Sequence, residues 1–309
     1  MRAPPFTLLA FCLAACGGDS GKSTEPDPGE VGGGDEGGET GDSGTDSGDT
    51  LPAAACGDGT PVTELTTAGC VSEAACTFHG GAAYDYLGYS AAGGHDFDGD
   101  GVEDLALGTL FTDATPAGDV LYDAGGALIL SGADLAAGGP GLVATFPGQH
   151  AGEQSGAALS FVGDLDGDGD SELLVGARGY ADVLTPGLGA VHLVMGGPPD
   201  ASGQLSPAAT WTGTQLYGRG GHAVLGPGDL DGDGVPELAV GGNLWEAMGA
   251  EETEVFSRGR TYVASGAAIP GSGVLDDFVV QLDGTGLSDQ AGAALAAGDL
   301  DGDGHRDLV

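Results

Sequence analysis

From about residue 84 onward the apolar residues come in short runs, each closed by glycine and separated from the next by polar turns. One unit reads GAALSFVG (Gly156 to Gly163), LLVG (Leu173 to Gly176), GAVHLVMG from Gly189, and AATWTG ending at Gly213. Runs this short with glycine at their borders predict buried strands, not helices. The flanking units follow the same order. Their second runs are LALG after Asp104 and LAVG after Glu237, and their third are GALILSG from Gly126 and RTYVASG from Arg260. Their fourth are LVATFPG ending at Gly148 and FVVQLDG ending at Gly284. Four short strands in a unit of about 65 residues, joined by turn residues, predict an all-β fold of four-stranded propeller blades. Three full blades and the start of a fourth are present. The expected division is blade 1 at 84–148, blade 2 at 149–213, blade 3 at 214–284 and a partial blade 4 at 285–309.

Between the first two runs of every unit stands one acidic loop. It reads DFDGDGVED from Asp96, DLDGDGDSE from Asp164, DLDGDGVPE from Asp229 and DLDGDGHRD from Asp299, with starts 68, 65 and 70 residues apart. A glycine precedes the loop by eight residues at Gly88, Gly156 and Gly221, and by seven at Gly292. Alternate carboxylates separated by glycines form an oxygen cage suited to Ca²⁺, a hard cation that takes six to eight oxygen ligands. In the second copy Asp164, Asp166 and Asp168 are expected to offer side chains, Asp170 its backbone carbonyl, and Glu172 the closing carboxylate. An EF-hand is excluded, because it needs a bidentate Glu at loop position 12 and a helix on each side. Position 12 is Leu107, Val175 and Val240 in the first three copies, and short glycine-closed strands follow.

This arrangement resembles the FG-GAP repeats of integrin α-chain propellers and their bacterial relatives, over about residues 84 to 309. The resemblance implies calcium ligation by Asp96, Asp98, Asp100, the carbonyl of Val102 and Asp104. It implies the same for Asp229, Asp231, Asp233, Val235 and Glu237, and for Asp299, Asp301, Asp303, His305 and Asp307. Two departures stand out. The "FG" is reduced to Leu87-Gly88, Ser155-Gly156 and Gly220-Gly221, and the "GAP" to Gly176-Ala177-Arg178 and Gly241-Gly242-Asn243. Glu also replaces the usual closing Asp at Glu172 and Glu237. Integrin-type propellers have seven blades, so the expectation is an N-terminal part of a longer product; an open arc completed by self-association is the alternative. A blade cannot bury both faces alone.

The N-terminal stretch adds an address. An apolar segment from Phe6 to Ala15 follows Arg2 and is too short to span a bilayer. It ends in Leu13-Ala14-Ala15-Cys16, which resembles a bacterial lipobox. The reading is a signal peptide at 1–15 and lipidation at Cys16, placing the protein in the cell envelope as an outer-membrane lipoprotein; plain secretion is the alternative. Residues 16–54 are almost free of apolar side chains and are expected to form a disordered acidic tether, about 35 Å in r.m.s. span. Two GDSG strings in this tether and a P-loop-like CGGDSGKST have no packed core around them and are set aside. Residues 55–83 hold Cys56, Cys70 and Cys76. One disulfide is expected there in an oxidising compartment, with the pair left open. A zinc site that borrows His79 is the lesser alternative.

The net charge of −40 argues against nucleic acid and anionic membrane surfaces as direct partners. About eighteen of the 47 acidic residues fall in the four loops, where cations would neutralise them. No catalytic set emerges from the six scattered histidines, and His192 and Trp211 read as packing residues. The function expected is a calcium-stabilised, surface-tethered binding or adhesion module for a protein or glycan ligand. It would touch the membrane only through its lipid anchor. An exported enzyme, a hydrolase with its catalytic part elsewhere, is the second reading.

Overall fold

The computed structural model describes residues 54–56, 76–78, 84–115, 120–139, 141–181, 186–245, 257–269, 271–286 and 288–309. Cys16, the tether up to residue 53 and Cys70 lie outside the described residues. The first two strands, β1 (Ala54–Cys56) and β2 (Cys76–Phe78), pair antiparallel as a separate ribbon.

Three antiparallel meanders follow. The first contains β3 (Ala91–His95), β4 (Asp104–Thr109), β5 (Gly126–Leu130) and β6 (Leu142–Pro147). The second contains β7 (Ser155–Gly163), β8 (Glu172–Ala177), β9 (Ala190–Val194) and β10 (Ala209–Thr212). The third contains β11 (Gly220–Gly228), β12 (Glu237–Gly242) and β13 (Arg260–Ala264). It passes through the two-residue β14 (Gly273–Val274) and ends in β15 (Val280–Asp283). A last pair, β16 (Ala297–Gly298) with β17 (Asp307–Leu308), frames the fourth acidic loop. The architecture is therefore an all-β, incomplete propeller of four-stranded blades, and no ring is closed among the described residues. The one α-helix described, α1 (Gly132–Ala136), is a single turn capped by the Ser131 side chain.

The core lies between blades. Phe97, Ala106, Ile129 and Phe146 of the first sheet pack against Phe161, Leu173, Val175 and Val194 of the second. Leu174, Val191, Leu193 and Trp211 turn to the other face and meet Leu238, Val240, Tyr262 and Phe278 of the third. Every residue of β8 is buried, because alternate side chains serve two different neighbours. This is why the run is continuously apolar instead of alternating. Trp211 is fully buried, lies edge-on to Phe278 at 5.4 Å, and donates Nε1–H to the Gly271 carbonyl at 3.0 Å. The second sheet carries a fifth strand that sequence reading did not anticipate: β14, from the connection before β15, pairs parallel with β10.

Adjacent blades also touch through backbone. The bridges Gly125↔Ser155, Gly189↔Gly220 and Gly259↔Ala291 repeat at each junction. Beside them the two glycines of the repeat nearly collide. A Cβ on Gly108 would sit 2.2 Å from the Gly156 carbonyl oxygen, and one on Gly176 would sit 2.2 Å from that of Gly221. On Gly241 it would lie 2.0 Å from the Gly292 oxygen. This close glycine pair recurs at each of the three junctions.

Candidate metal centre

Each acidic loop leaves the sheet at the end of the first strand and re-enters at the start of the second. Its closing carboxylate stands opposite the last residue before the loop: His95↔Asp104, Gly163↔Glu172, Gly228↔Glu237 and Gly298↔Asp307. In the three full blades a register irregularity falls just before the loop, at Gly93/His95, Phe161/Gly163 and Leu225/Gly228. A bulge there increases local twist and re-aims the chain.

Inside the loop one hydrogen-bond scheme repeats. The first aspartate accepts from the amides three and five residues on: Asp96 from Gly99 at 2.9 Å and Gly101 at 2.7 Å, Asp229 from Gly232 at 2.7 Å and Gly234 at 2.9 Å. The copies at Asp164 and Asp299 match. Gly99 and Gly101 hold φ of +78° and +86°, values that a side chain would penalise. The third and fifth positions each accept from the amide two residues on, as in Asp166 from Asp168 at 3.2 Å and Asp168 from Asp170 at 2.9 Å. The closing carboxylate then accepts the amide of the second loop residue. Phe97 donates to Asp104 at 2.7 Å, Leu165 to Glu172 at 2.6 Å, Leu230 to Glu237 at 2.5 Å and Leu300 to Asp307 at 2.8 Å. These backbone amides curl the carboxylates inward toward one another.

Four sets of oxygens converge to within 4.8 Å of one another: Asp96, Asp98 and Asp104; Asp164, Asp166 and Asp168; Asp229, Asp231, Asp233 and Glu237; Asp299, Asp301 and Asp303. The structure does not add Asp100, Glu172 or Asp307 to these sets. Asp100 instead receives the Ser131 hydroxyl at 3.2 Å. The backbone carbonyls expected to contribute belong to Val102, Asp170, Val235 and His305. Asp170 has a second relation, because its carboxylate reaches across to the first blade. A Cβ on Gly99 would lie 2.6 Å from Asp170 Oδ1, and the Ser171 amide donates to the Asp96 carbonyl at 2.8 Å.

The carboxylates crowd one another, and a bound cation would relieve that crowding. Burial, then the neighbouring Asp104 and Asp100 charges, pushes Asp98 up to about 6. Burial, with the Asp166 and Asp164 charges adding to it, takes Glu172 up to about 7. Glu237 shifts upward for the same reasons. Glu172 and Glu237 are 1% and 4% exposed, and the Oε1 oxygen of Glu237 has no hydrogen-bond partner. An unpaired buried carboxylate oxygen is costly, and a hard cation is what this all-oxygen donor set would accept. Asp104 differs: its two oxygens accept from Phe97, Asp98 and Gly132.

A second polar cluster escaped the sequence reading. Glu153 is fully buried between blades 1 and 2 and accepts from the Ser155 hydroxyl and, at 2.8 Å, from the Gln149 amide. His192 Nε2 lies 3.3 Å and His150 Nδ1 3.0 Å from its oxygens. Burial alone would raise the Glu153 carboxyl, but the contacts from His192, Ser155 and Gln149 outweigh it and hold the group below its ordinary range. The available signal was an acidic residue three positions before the blade glycine, present at Asp85, Glu153 and Asp289.

Face-packed four-stranded blades, each with an acidic loop between its first two strands, define a β-propeller repeat protein. The FG-GAP repeat family matches residues 155–194, from β7 through its acidic loop to β9. Integrin alpha-5 of Xenopus laevis is 32% identical over 237 residues, which is 74% of this chain and 20% of that protein. Integrin alpha-PS2 of Drosophila melanogaster is 30% identical over 234 residues, 72% of this chain and 15% of that protein. Phosphatidylinositol-glycan-specific phospholipase D of Mus musculus is 32% identical over 149 residues, 47% of this chain and 17% of that enzyme. The chain is an integrin α-like FG-GAP repeat protein, and it spans about a fifth or less of the length of these relatives.

Proposed function

We propose that the chain is a binding module whose blades are pinned by structural Ca²⁺ in the acidic loops. The observation that carries this reading is Glu237. It is buried, its Oε1 is unpartnered, and it belongs to a set of four carboxylates whose oxygens lie within 4.8 Å of one another. A bound cation would neutralise these charges and fix the turn between β11 and β12. Asp229, Asp231, Asp233 and Glu237 would hold it, and the corresponding residues would do so in the other loops.

The ligand surface would lie at the opposite end of the strands. Tyr84 and Tyr86 precede β3, Tyr122 sits in the β4–β5 connection and Tyr217 in the β10–β11 connection. All four are exposed, Tyr84 by 80% and Tyr122 by 67%. Exposed aromatic side chains supply contact area at low entropic cost, which suits a protein or glycan partner.

Chelation tests the calcium reading. Ligand that binds only the folded state adds about 2.7 kcal/mol per site at one hundred times its dissociation constant. Chelator should lower the melting temperature, calcium should restore it better than magnesium, and Asp166→Ala should reduce calcium stoichiometry by about one site. An unchanged melting temperature after verified metal removal would defeat the reading.

Surface tethering rests on Cys16 and the acidic segment after it. Wild-type protein should partition into detergent, and Cys16→Ser should not; a mature N-terminus downstream of Cys16 would refute the anchor. The similarity to a phospholipase supports a second reading, an exported hydrolase. Turnover of a glycosylphosphatidylinositol substrate by the purified chain would favour it over the binding module.

A further inference from the structure

The stretch ahead of the first blade contains three cysteines, and sequence spacing leaves all three pairings open. The backbone separates them. Strands β1 and β2 pair antiparallel in the register Ala54↔Phe78, Ala55↔Thr77 and Cys56↔Cys76. Directly opposed residues of an antiparallel pair have Cα atoms about 4.5–5.5 Å apart and side chains on the same face. A disulfide needs a Cα separation of about 4.4–6.8 Å. Both kinds of opposed pair, hydrogen-bonded or not, fall inside that window.

We propose that Cys56 and Cys76 form a disulfide that closes the β1–β2 ribbon and leaves Cys70 as a thiol. The ribbon needs such a link, because an isolated two-stranded hairpin is marginal in water and each strand here has only three residues. The connection it would close runs from 57 to 75. Linking its two ends removes conformational freedom from the unfolded chain.

The chemistry is thiol–disulfide exchange. The thiolate of one cysteine attacks a disulfide oxidant such as oxidised glutathione, forming a mixed disulfide and releasing one reduced glutathione. The second thiolate attacks the protein sulfur of that intermediate and releases the other. The protein loses two protons and two electrons, and the oxidant takes up both.

The test uses the full chain in a glutathione redox buffer, followed by alkylation of free thiols, digestion without reduction and mass spectrometry. Expected is a linked peptide pair containing Cys56 and Cys76, with Cys70 recovered alkylated. Cys70→Ser should leave the linked pair intact, and Cys56→Ser should abolish it and leave Cys76 alkylated. A link from Cys70 to either neighbour, or recovery of Cys56 and Cys76 both alkylated after oxidation, overturns the proposal. The outcome is independent of whether the acidic loops bind calcium.

Discussion

Gly176→Ala is the sharpest perturbation available, because it adds one methyl group at a junction of two blades. Gly176 has an ordinary strand conformation, so backbone strain is not the issue; the new Cβ would stand 2.2 Å from the Gly221 carbonyl oxygen and 3.3 Å from the Ala158 Cβ. A close carbon-to-carbonyl contact settles at about 3.3–3.6 Å, so the third sheet must retreat from the second by about 1 Å. That movement is resisted. Gly221 lies in the register irregularity of β11, between the pairs Gly220↔Gly242 and Ala223↔Gly241, and a Cβ on Gly221 itself would meet the Ala190 oxygen at 2.0 Å. Overpacking typically costs about 1–3 kcal/mol, and a backbone partner flanked on both sides by ladder pairs places this case at the upper end. Alanine recovers about 0.4–1 kcal/mol by stiffening the unfolded chain, leaving a net loss of about 2 kcal/mol. At about 2–4 °C per kcal/mol for a domain of this size, melting should fall by roughly 4–8 °C. Gly271→Ala is the control, since a Cβ there meets nothing within 4 Å. The readout is thermal melting by circular dichroism in saturating calcium. If Gly176→Ala melts with the control, the glycine contact does not set the blade spacing.

The buried cluster gives a pH prediction. The Glu153 carboxyl is held below its ordinary value of 4.5, so its contribution is complete above that value and disappears as pH falls through the depressed folded value. Glu153→Gln should therefore flatten the loss of stability between about pH 5 and pH 3 measured by urea unfolding, and parallel slopes for the two proteins would contradict this. Trp211→Ala removes the largest fully buried side chain, its contact with Phe278 and its hydrogen bond to Gly271. The expected loss is about 3–5 kcal/mol; a loss under about 1 kcal/mol, read from the same unfolding assay, would show that the second and third blades are not held together through this side chain.

The sequence by itself determined the elements that depend on near neighbours. The acidic loops were legible because each is closed by contacts within nine residues, with carboxylates, glycines and flanking strand in fixed register. Strand positions were legible for the same reason: a four-residue apolar run between glycines has few other conformations that bury it. The all-β blade repeat follows from those two facts. Only the tertiary structure decided which neighbour each face serves. Leu173 and Val175 turn to the first blade while Leu174 turns to the third, although all three are equally apolar in sequence. Only folding joins Trp211 to Gly271, Gly176 to Gly221 and β10 to β14. Glu153 reads as one more surface acid until His192, from the third strand of its blade, closes over it. The physical reason is range. Hydrophobic period and turn chemistry act within a few residues, whereas stacking of sheets joins residues tens of positions apart whose partners carry no local signature.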